Sequence, residues 1–257
     1  MKKIIAISLT ALGLMASANV TAQSSSRLDE ILKSGKLRVC SPGDYKPFSL
    51  AKADGTFEGI DIDLIQSAAK ALGVQVEMVK SSWPKLLDDF TEKCDVAVGG
   101  ISTSTDRAKR VGFMTAYMVN GKAPIALCTN AAKFQTVADI NKPTVRVITN
   151  PGGSNEKFVR ANLPDAKVTV YNDNVTIFDE IVKGNADVMI SESVETIVQS
   201  KAKPTLCAIN PDKPLQYGEM TYLLPRGDLP MKAWFDTWIH LNKASGEYTK
   251  TVDKWLK

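Results

Sequence analysis

Leu86-Leu-Asp-Asp-Phe-Thr-Glu-Lys-Cys-Asp-Val-Ala-Val-Gly-Gly-Ile-Ser102 and Ile177-Phe-Asp-Glu-Ile-Val-Lys-Gly-Asn-Ala-Asp-Val-Met-Ile-Ser-Glu-Ser193 follow one pattern. Each opens on a helical segment, turns, enters a short apolar run around Asp-Val, and ends in a polar loop containing serine. A helix feeding a buried strand in this way, twice in one chain, predicts two similar α/β lobes.

The flanking sequence extends both lobes. In the first, residues 27–33 read as a short amphipathic helix and 37–40 as a strand. Asp54-Gly55 marks a hairpin tip between 48–50 and 56–58. Residues 60–72 read as a helix with Ile60, Leu64, Ala68 and Leu72 on one face, stopped by Gly73. A strand at 74–79, a helix at 83–90 and a strand at 95–98, closed by Gly99-Gly100, complete the set. The second lobe repeats the alternation: strand 145–148, helix 155–163, strand 168–170, helix 175–182, strand 187–190. Residues 119–127 leave the first lobe and 217–224 return to it, so lobe 1 is expected to comprise 23–124 and 219–257, and lobe 2 125–218. Two crossings make a hinge, with a ligand cleft between lobes that close on it. Trp234, Trp238, Leu241 and Trp255 recur at helical spacing near the C-terminus, and the tryptophans are expected to be packing residues. His240, the single histidine, lies among them and reads as structural.

The chain has 257 residues, 44% apolar and 23% charged, ordinary for a folded globular protein. Its beginning reads as a secretory leader: basic Met1-Lys2-Lys3, an apolar run from Ile4 to Met15 too short to span a bilayer, then Val20-Thr21-Ala22 before Gln23. Removing residues 1–22 takes away two lysines and no acids, lowering the net charge from +4 to +2, too little to suggest a nucleic-acid partner. No later stretch is long and apolar enough to insert in a membrane. An exported chain meets oxidising conditions, where its four cysteines can pair. Cys128 and Cys207 sit in strand-like runs and are expected to form a disulfide. Cys40 ends one predicted strand and Cys94 begins another. If those strands are parallel the two sulfurs lie at opposite ends, so two buried thiols are expected there. No spacing resembles a metal site.

Asn150-Pro-Gly-Gly-Ser-Asn-Glu156 joins a buried strand to a helix start. Gly152 and Gly153 allow close approach of a ligand to the backbone. The free N–H groups behind them favour an anion. Glu156, in the first turn, is either a dipole partner of the helix or an acid with a task.

Gly43-Asp-Tyr-Lys-Pro-Phe48, Gly59-Ile-Asp-Ile-Asp63, Asp95-Val-Ala-Val-Gly-Gly-Ile-Ser102 with Thr105-Asp-Arg107, and Gly184-Asn-Ala-Asp187 resemble the periplasmic amino-acid-binding proteins of the two-lobed type II class, solute-binding family 3. The likeness spans essentially the whole mature chain. Asn150-Pro-Gly-Gly-Ser-Asn-Glu-Lys-Phe158, Asp173-Asn-Val-Thr-Ile-Phe178, Ser82-Trp-Pro84, Gly121-Lys122 and Phe134-Gln-Thr136 are similar to the cyclohexadienyl dehydratases, enzymes on that same scaffold.

The resemblance implies a periplasmic carbon–oxygen lyase of phenylalanine biosynthesis, converting prephenate to phenylpyruvate and arogenate to phenylalanine without a cofactor. Arg107 would clamp a substrate carboxylate, a geometry suited to a guanidinium. Ser102 and the Gly100 carbonyl would line the same pocket. Tyr45 and Trp83 are candidate walls for a flat ring. Lys122, near the hinge, would hold a second carboxylate. Asn150, Gly153, Ser154 and Asn155 would donate hydrogen bonds, supported by Asn174. Glu156 would be the general acid that protonates the leaving hydroxyl. The helix end lowers its pKa, so lobe closure has to raise it again. Glu192 stands where amino-acid receptors place an aspartate for the ligand ammonium, one methylene longer here. The alternative is a receptor that delivers an amino acid to an ABC permease, with Arg107 and Glu192 holding the two ends of the ligand.

Overall fold

The computed structural model describes residues 26–257; the expected leader at 1–22 lies outside the described residues. Chain order begins with helix α1 (Arg27–Ser34), strand β1 (Lys36–Ser41), and the small strands β2 (Asp44–Tyr45), β3 (Ser49–Ala51) and β4 (Phe57–Glu58). Helix α2 (Ile60–Leu72), strand β5 (Gln75–Lys80), helix α3 (Leu86–Lys93) and strand β6 (Val96–Ser102) follow. A short helix α4 (Thr105–Ala108) and strand β7 (Gly112–Phe113) lead into the long strand β8 (Met118–Leu127).

The second half runs through α5 (Val137–Ile140), β9 (Arg146–Thr149), α6 (Ser154–Asn162), β10 (Lys167–Val170), α7 (Ile177–Val182), β11 (Val188–Glu192), α8 (Ser193–Ala202) and β12 (Leu206–Ala208). Strand β13 (Gln216–Leu224) returns, and α9 (Leu229–Ser245) and α10 (Glu247–Leu256) close the chain.

The main sheet has the order β10-β9-β11-β8-β13-β6-β1-β5, with β12 beside β8 and β7 beside β13. Pairing is parallel within β5-β1-β6 and within β10-β9-β11, and antiparallel where β8 meets β11 and β13, and where β13 meets β6. Two parallel α/β groups therefore flank one antiparallel strand pair. The expected boundaries at 124/125 and 218/219 fall inside β8 and β13, which run unbroken from one group to the other.

Alternation along the strands builds four apolar layers. Leu37, Val39, Val96 and Val98 face α2 and α9, whereas Cys40, Ala97 and Ile101 face Leu86 and Phe90 of α3. In the other half Val147, Val188 and Ile190 pack with Phe158 and Val159 of α6, and Ile148 and Met189 with Ile177, Phe178 and Ile181 of α7. Each fully buried side chain of this size contributes roughly 1.5–3 kcal/mol.

Several expectations need correction. Cys40 and Cys94 form a disulfide with their Cα atoms 5.8 Å apart, as Cys128 and Cys207 do at 4.8 Å. The expectation of two thiols placed Cys94 at the start of a strand. It is instead the C-terminal cap of α3, and Cys40 pairs with Ala97, three residues further on. Cys94 thus comes down from the helix layer onto the face where Cys40 points. Gly99 and Gly100 do not end β6; they bend it, with φ 122° and 69°, and it runs on to Ser102. The helix expected from Trp83 begins at Leu86, leaving Trp83 in the preceding turn. The C-terminal helical stretch is two helices divided at Gly246, φ 82°. Trp234, Trp238 and Trp255 pack against the first core, but Leu241 is 59% exposed and His240 is exposed beside it on α9.

Candidate active site

A groove of about 550 Å³ separates the two halves, lined by Trp83, Ser102, Arg107, Lys122, Ser154, Phe158 and Glu192 among others. That is ligand-sized. It adjoins an inner cavity of about 10 Å³, lined by Tyr45, Trp83, Gly100, Asn150, Gly153, Ser154, Asn155, Asn174 and Glu192. The inner space holds about one water, so a ring can enter only if the halves move apart. The fold thus gathers every expected substrate-binding residue along one cleft, and it leaves Glu156 out of both linings.

The walls approach closely. Gly100 has φ 69°, and a Cβ there would lie 2.4 Å from the Tyr45 ring. Its N–H and that of Gly99 both donate to Asp61 Oδ2, at 2.7 and 2.8 Å, from beneath the strand. Burial pushes the Asp61 carboxyl up to about 6. Gly152, φ 76°, touches the opposite half, where a Cβ would lie 2.6 Å from Pro84 Cγ. Trp83 Nε1 donates to Asp44 Oδ1 at 2.9 Å, and Asn174 Nδ2 donates across the cleft to the Asp44 carbonyl at 3.1 Å. Tyr45 OH and Asn174 Oδ1 are buried without a hydrogen-bond partner. Two unmet polar atoms in one small cavity suit a ligand that offers a hydroxyl.

The charged groups divide into three environments. Arg107 is 8% exposed and its Nη1 donates to the Ser102 carbonyl at 2.6 Å. Among the described residues no carboxylate lies within ion-pair distance of it, and burial lowers its pKa. A guanidinium retains its charge regardless, so it can receive an anion. Lys122 Nζ donates to Glu192 Oε1 at 2.6 Å, Asn155 Oδ1 at 2.6 Å and Ser154 Oγ at 2.8 Å. Burial pushes the Glu192 carboxyl up, but Lys122 together with the Ser102 and Ser154 hydroxyls more than offsets this and holds it below the ordinary range.

Glu195 is the third environment, and sequence reasoning missed it. It lies in the first turn of α8, 1% exposed, and accepts a hydrogen bond from Ser191 Oγ. Burial, with the nearby charges of Asp44 and Glu192, holds its carboxyl well above the ordinary range. The carboxyl stays protonated where surface glutamates are ionised. Its charge is felt at Tyr45, which lines the inner cavity, and Ser191 stands between it and Asn155 of the same lining; like Glu156, it is itself in neither lining.

Glu156 differs from expectation. Its carboxylate turns back to accept the Gly152 N–H at 2.6 Å and pairs with Arg160 at 2.6 Å. The Gly152 N–H is the leading cause that lowers its pKa, and Arg160 adds to it. A carboxylate held in this way is a poor proton donor.

The model of the bacterial extracellular solute-binding proteins, family 3, matches residues 37–257. The chain belongs to this family. This family 3 chain is 45% identical over 250 residues to cyclohexadienyl dehydratase of Pseudomonas aeruginosa, covering 97% of this chain and 92% of that one. Among solved structures, an ancestral amino acid-binding protein described as a precursor of cyclohexadienyl dehydratase superposes with TM-score 0.83 at 34% identity, over 91% of this chain and 100% of the other. An ancestral cyclohexadienyl dehydratase is 46% identical and superposes with TM-score 0.58, over 91% and 98%.

Proposed function

We propose that this chain is an exported, periplasmic cyclohexadienyl dehydratase acting on prephenate or arogenate. The observation that carries the reading is a fully buried carboxyl, Glu195, that meets, among the described residues, only the Ser191 hydroxyl behind an anion-receiving cleft. In the reaction the ring C–OH bond breaks as the oxygen takes a proton and leaves as water. The ring carboxylate departs as carbon dioxide, and its bonding electrons complete the aromatic ring. Aromatisation drives the step, so the main demand on the protein is one acid in place. Glu195 supplies the proton. Arg107 holds a substrate carboxylate, Tyr45 and Trp83 wall the ring, and Asn174 accepts from the leaving hydroxyl before it departs. Glu156, expected in the donor role, instead holds the Gly152 turn against Pro84.

Residues 23–124 with 219–257, and 125–218, act as two bodies that part to admit the ring and reclose on it, bending at β8 and β13. A rise in identity from 34% to 46% with a fall in TM-score from 0.83 to 0.58 fits a changed angle between otherwise similar halves. The deciding experiment follows phenylpyruvate formation from prephenate by purified protein. Turnover in the wild type, lost in Glu195→Gln, supports the reading; absence of wild-type turnover ends it.

A further inference from the structure

We infer that the cleft selects a 2-oxo acid over the matching 2-amino acid, because Lys122 occupies the one carboxylate that could hold an ammonium. This rests on the proposed function and names its preferred substrate, prephenate over arogenate.

Glu192 is the acid that reaches both the groove and the inner cavity. Its Oε1 already receives Lys122 Nζ at 2.6 Å, Ser102 Oγ at 2.6 Å and Ser154 Oγ at 3.3 Å. Lys122 is equally committed, its three donors meeting Glu192, Asn155 and Ser154. The two are 5% and 3% exposed, so solvent does not screen the pair. The strands enforce the contact: Lys122 on β8 stands directly opposite Glu192 on β11. The extra methylene of glutamate carries its carboxylate onto that ammonium.

The charge balance has a chemical consequence. Arg107 and Lys122 against Glu192 leave one unmatched positive charge, on Arg107, for the side-chain carboxylate; the ring carboxylate is common to prephenate and arogenate and does not distinguish them. A 2-oxo acid brings a carboxylate to it and a carbonyl that needs no counter-charge. A 2-amino acid brings the same carboxylate with an ammonium, which must share Glu192 with Lys122 or be buried unpaired. Sites that leave a buried polar group unpaired discriminate strongly.

The test is calorimetric titration of the purified protein with unreactive matched pairs: phenylpyruvate and L-phenylalanine, 2-oxoglutarate and L-glutamate. The wild type is expected to bind a 2-oxo acid at least about tenfold more tightly than its amino partner. Lys122→Gln removes the charge and frees Glu192, and is expected to abolish or reverse the preference. Glu192→Gln, which leaves no carboxylate for an ammonium, is expected to keep it. Equal or tighter binding of an amino acid by the wild type overturns the inference, as does a panel in which no 2-oxo acid binds. A preference unchanged in Lys122→Gln overturns the role given to that residue, and loss of folding in that variant leaves the wild-type ratio and Glu192→Gln to decide. Prephenate turnover is measured separately, so a dehydratase reading that fails there leaves the binding ratio to stand or fall alone.

Discussion

Ser191 Oγ donates to Glu195 Oε2, and the same hydroxyl lies 3.4 Å from Asn155 Nδ2. The buried acid is therefore one hydroxyl away from a residue that lines the inner cavity. Replacing Glu195 with Gln keeps the shape and removes the proton. It should lower kcat by about 10²–10⁴-fold with little change in substrate affinity. Glu156→Gln, which leaves the cavity untouched, should lower kcat/KM by no more than roughly tenfold. Parallel steady-state kinetics on the two variants distinguish the two acids; the reverse order would return the donor role to Glu156.

The protonation state of Glu195 can be observed directly. Its folded pKa is raised by burial, so the acid form persists above the ordinary carboxylate range and is lost only as pH rises through that raised value. Difference infrared spectroscopy of wild type against Glu195→Gln should show a carboxylic-acid C=O band that survives where surface glutamates are ionised and bleaches as pH rises further. Activity should decline over the same interval. A Glu195 that ionises together with the surface glutamates would contradict the mechanism.

Asp61 ties Gly99 and Gly100 to the fold, with its carboxyl pushed up by burial to about 6. A raised folded pKa means its contribution to stability is full below the ordinary carboxylate range and is lost as pH rises through about 6. The group should cost about 3 kcal/mol between those limits. Asp61→Asn keeps an acceptor and removes the titration, so denaturation midpoints at pH 4.0 and 7.5, taken as rough bounds of that interval, should differ less in the variant than in the wild type. The same dependence in both would show that another group causes it.

The disulfide between Cys40 and Cys94 joins β1 to the end of α3 across a sequence separation of 54. Replacing both by serine should lower stability by about 2–4 kcal/mol. Urea denaturation under non-reducing conditions measures it. Free thiols found in denatured wild-type protein would refute the pairing.

The doubled helix–strand pattern at 86–102 and 177–193 carried the architecture, because alternating α/β units bury whole strands whose apolar runs are visible in one dimension. The cleft residues could be read because most cluster in short motifs where a strand ends and the next element begins, as Gly100 to Arg107 do at the end of β6 and Asn150 to Asn155 after β9. Glu195 could not, since its burial arises when the start of α8 comes near Tyr45, 150 positions away in sequence. A usable hint lay in Ser191 and Glu195, four residues apart and able to meet in one helical turn. Glu156 drew the donor role because the turn before it has the composition of a ligand loop. At roughly 100° per helical residue, Ser154, Asn155 and Phe158 share one side of α6, and Glu156 falls on the other with Arg160. Cys94 misled because a helix cap was taken as a strand residue.

Lys122 stands in register with Glu192 on one side and with Gln216 of β13 on the other. Under the proposed bending at β8 and β13, the cation that governs charge in the cleft is thus built into the joint itself, paired in both ladders. Electrostatics and mechanics share a part here. A change of charge at position 122 should alter how long the jaws stay shut as well as what they hold. The residence time of a bound 2-oxo acid would then report on the stiffness of two strands rather than on contacts alone.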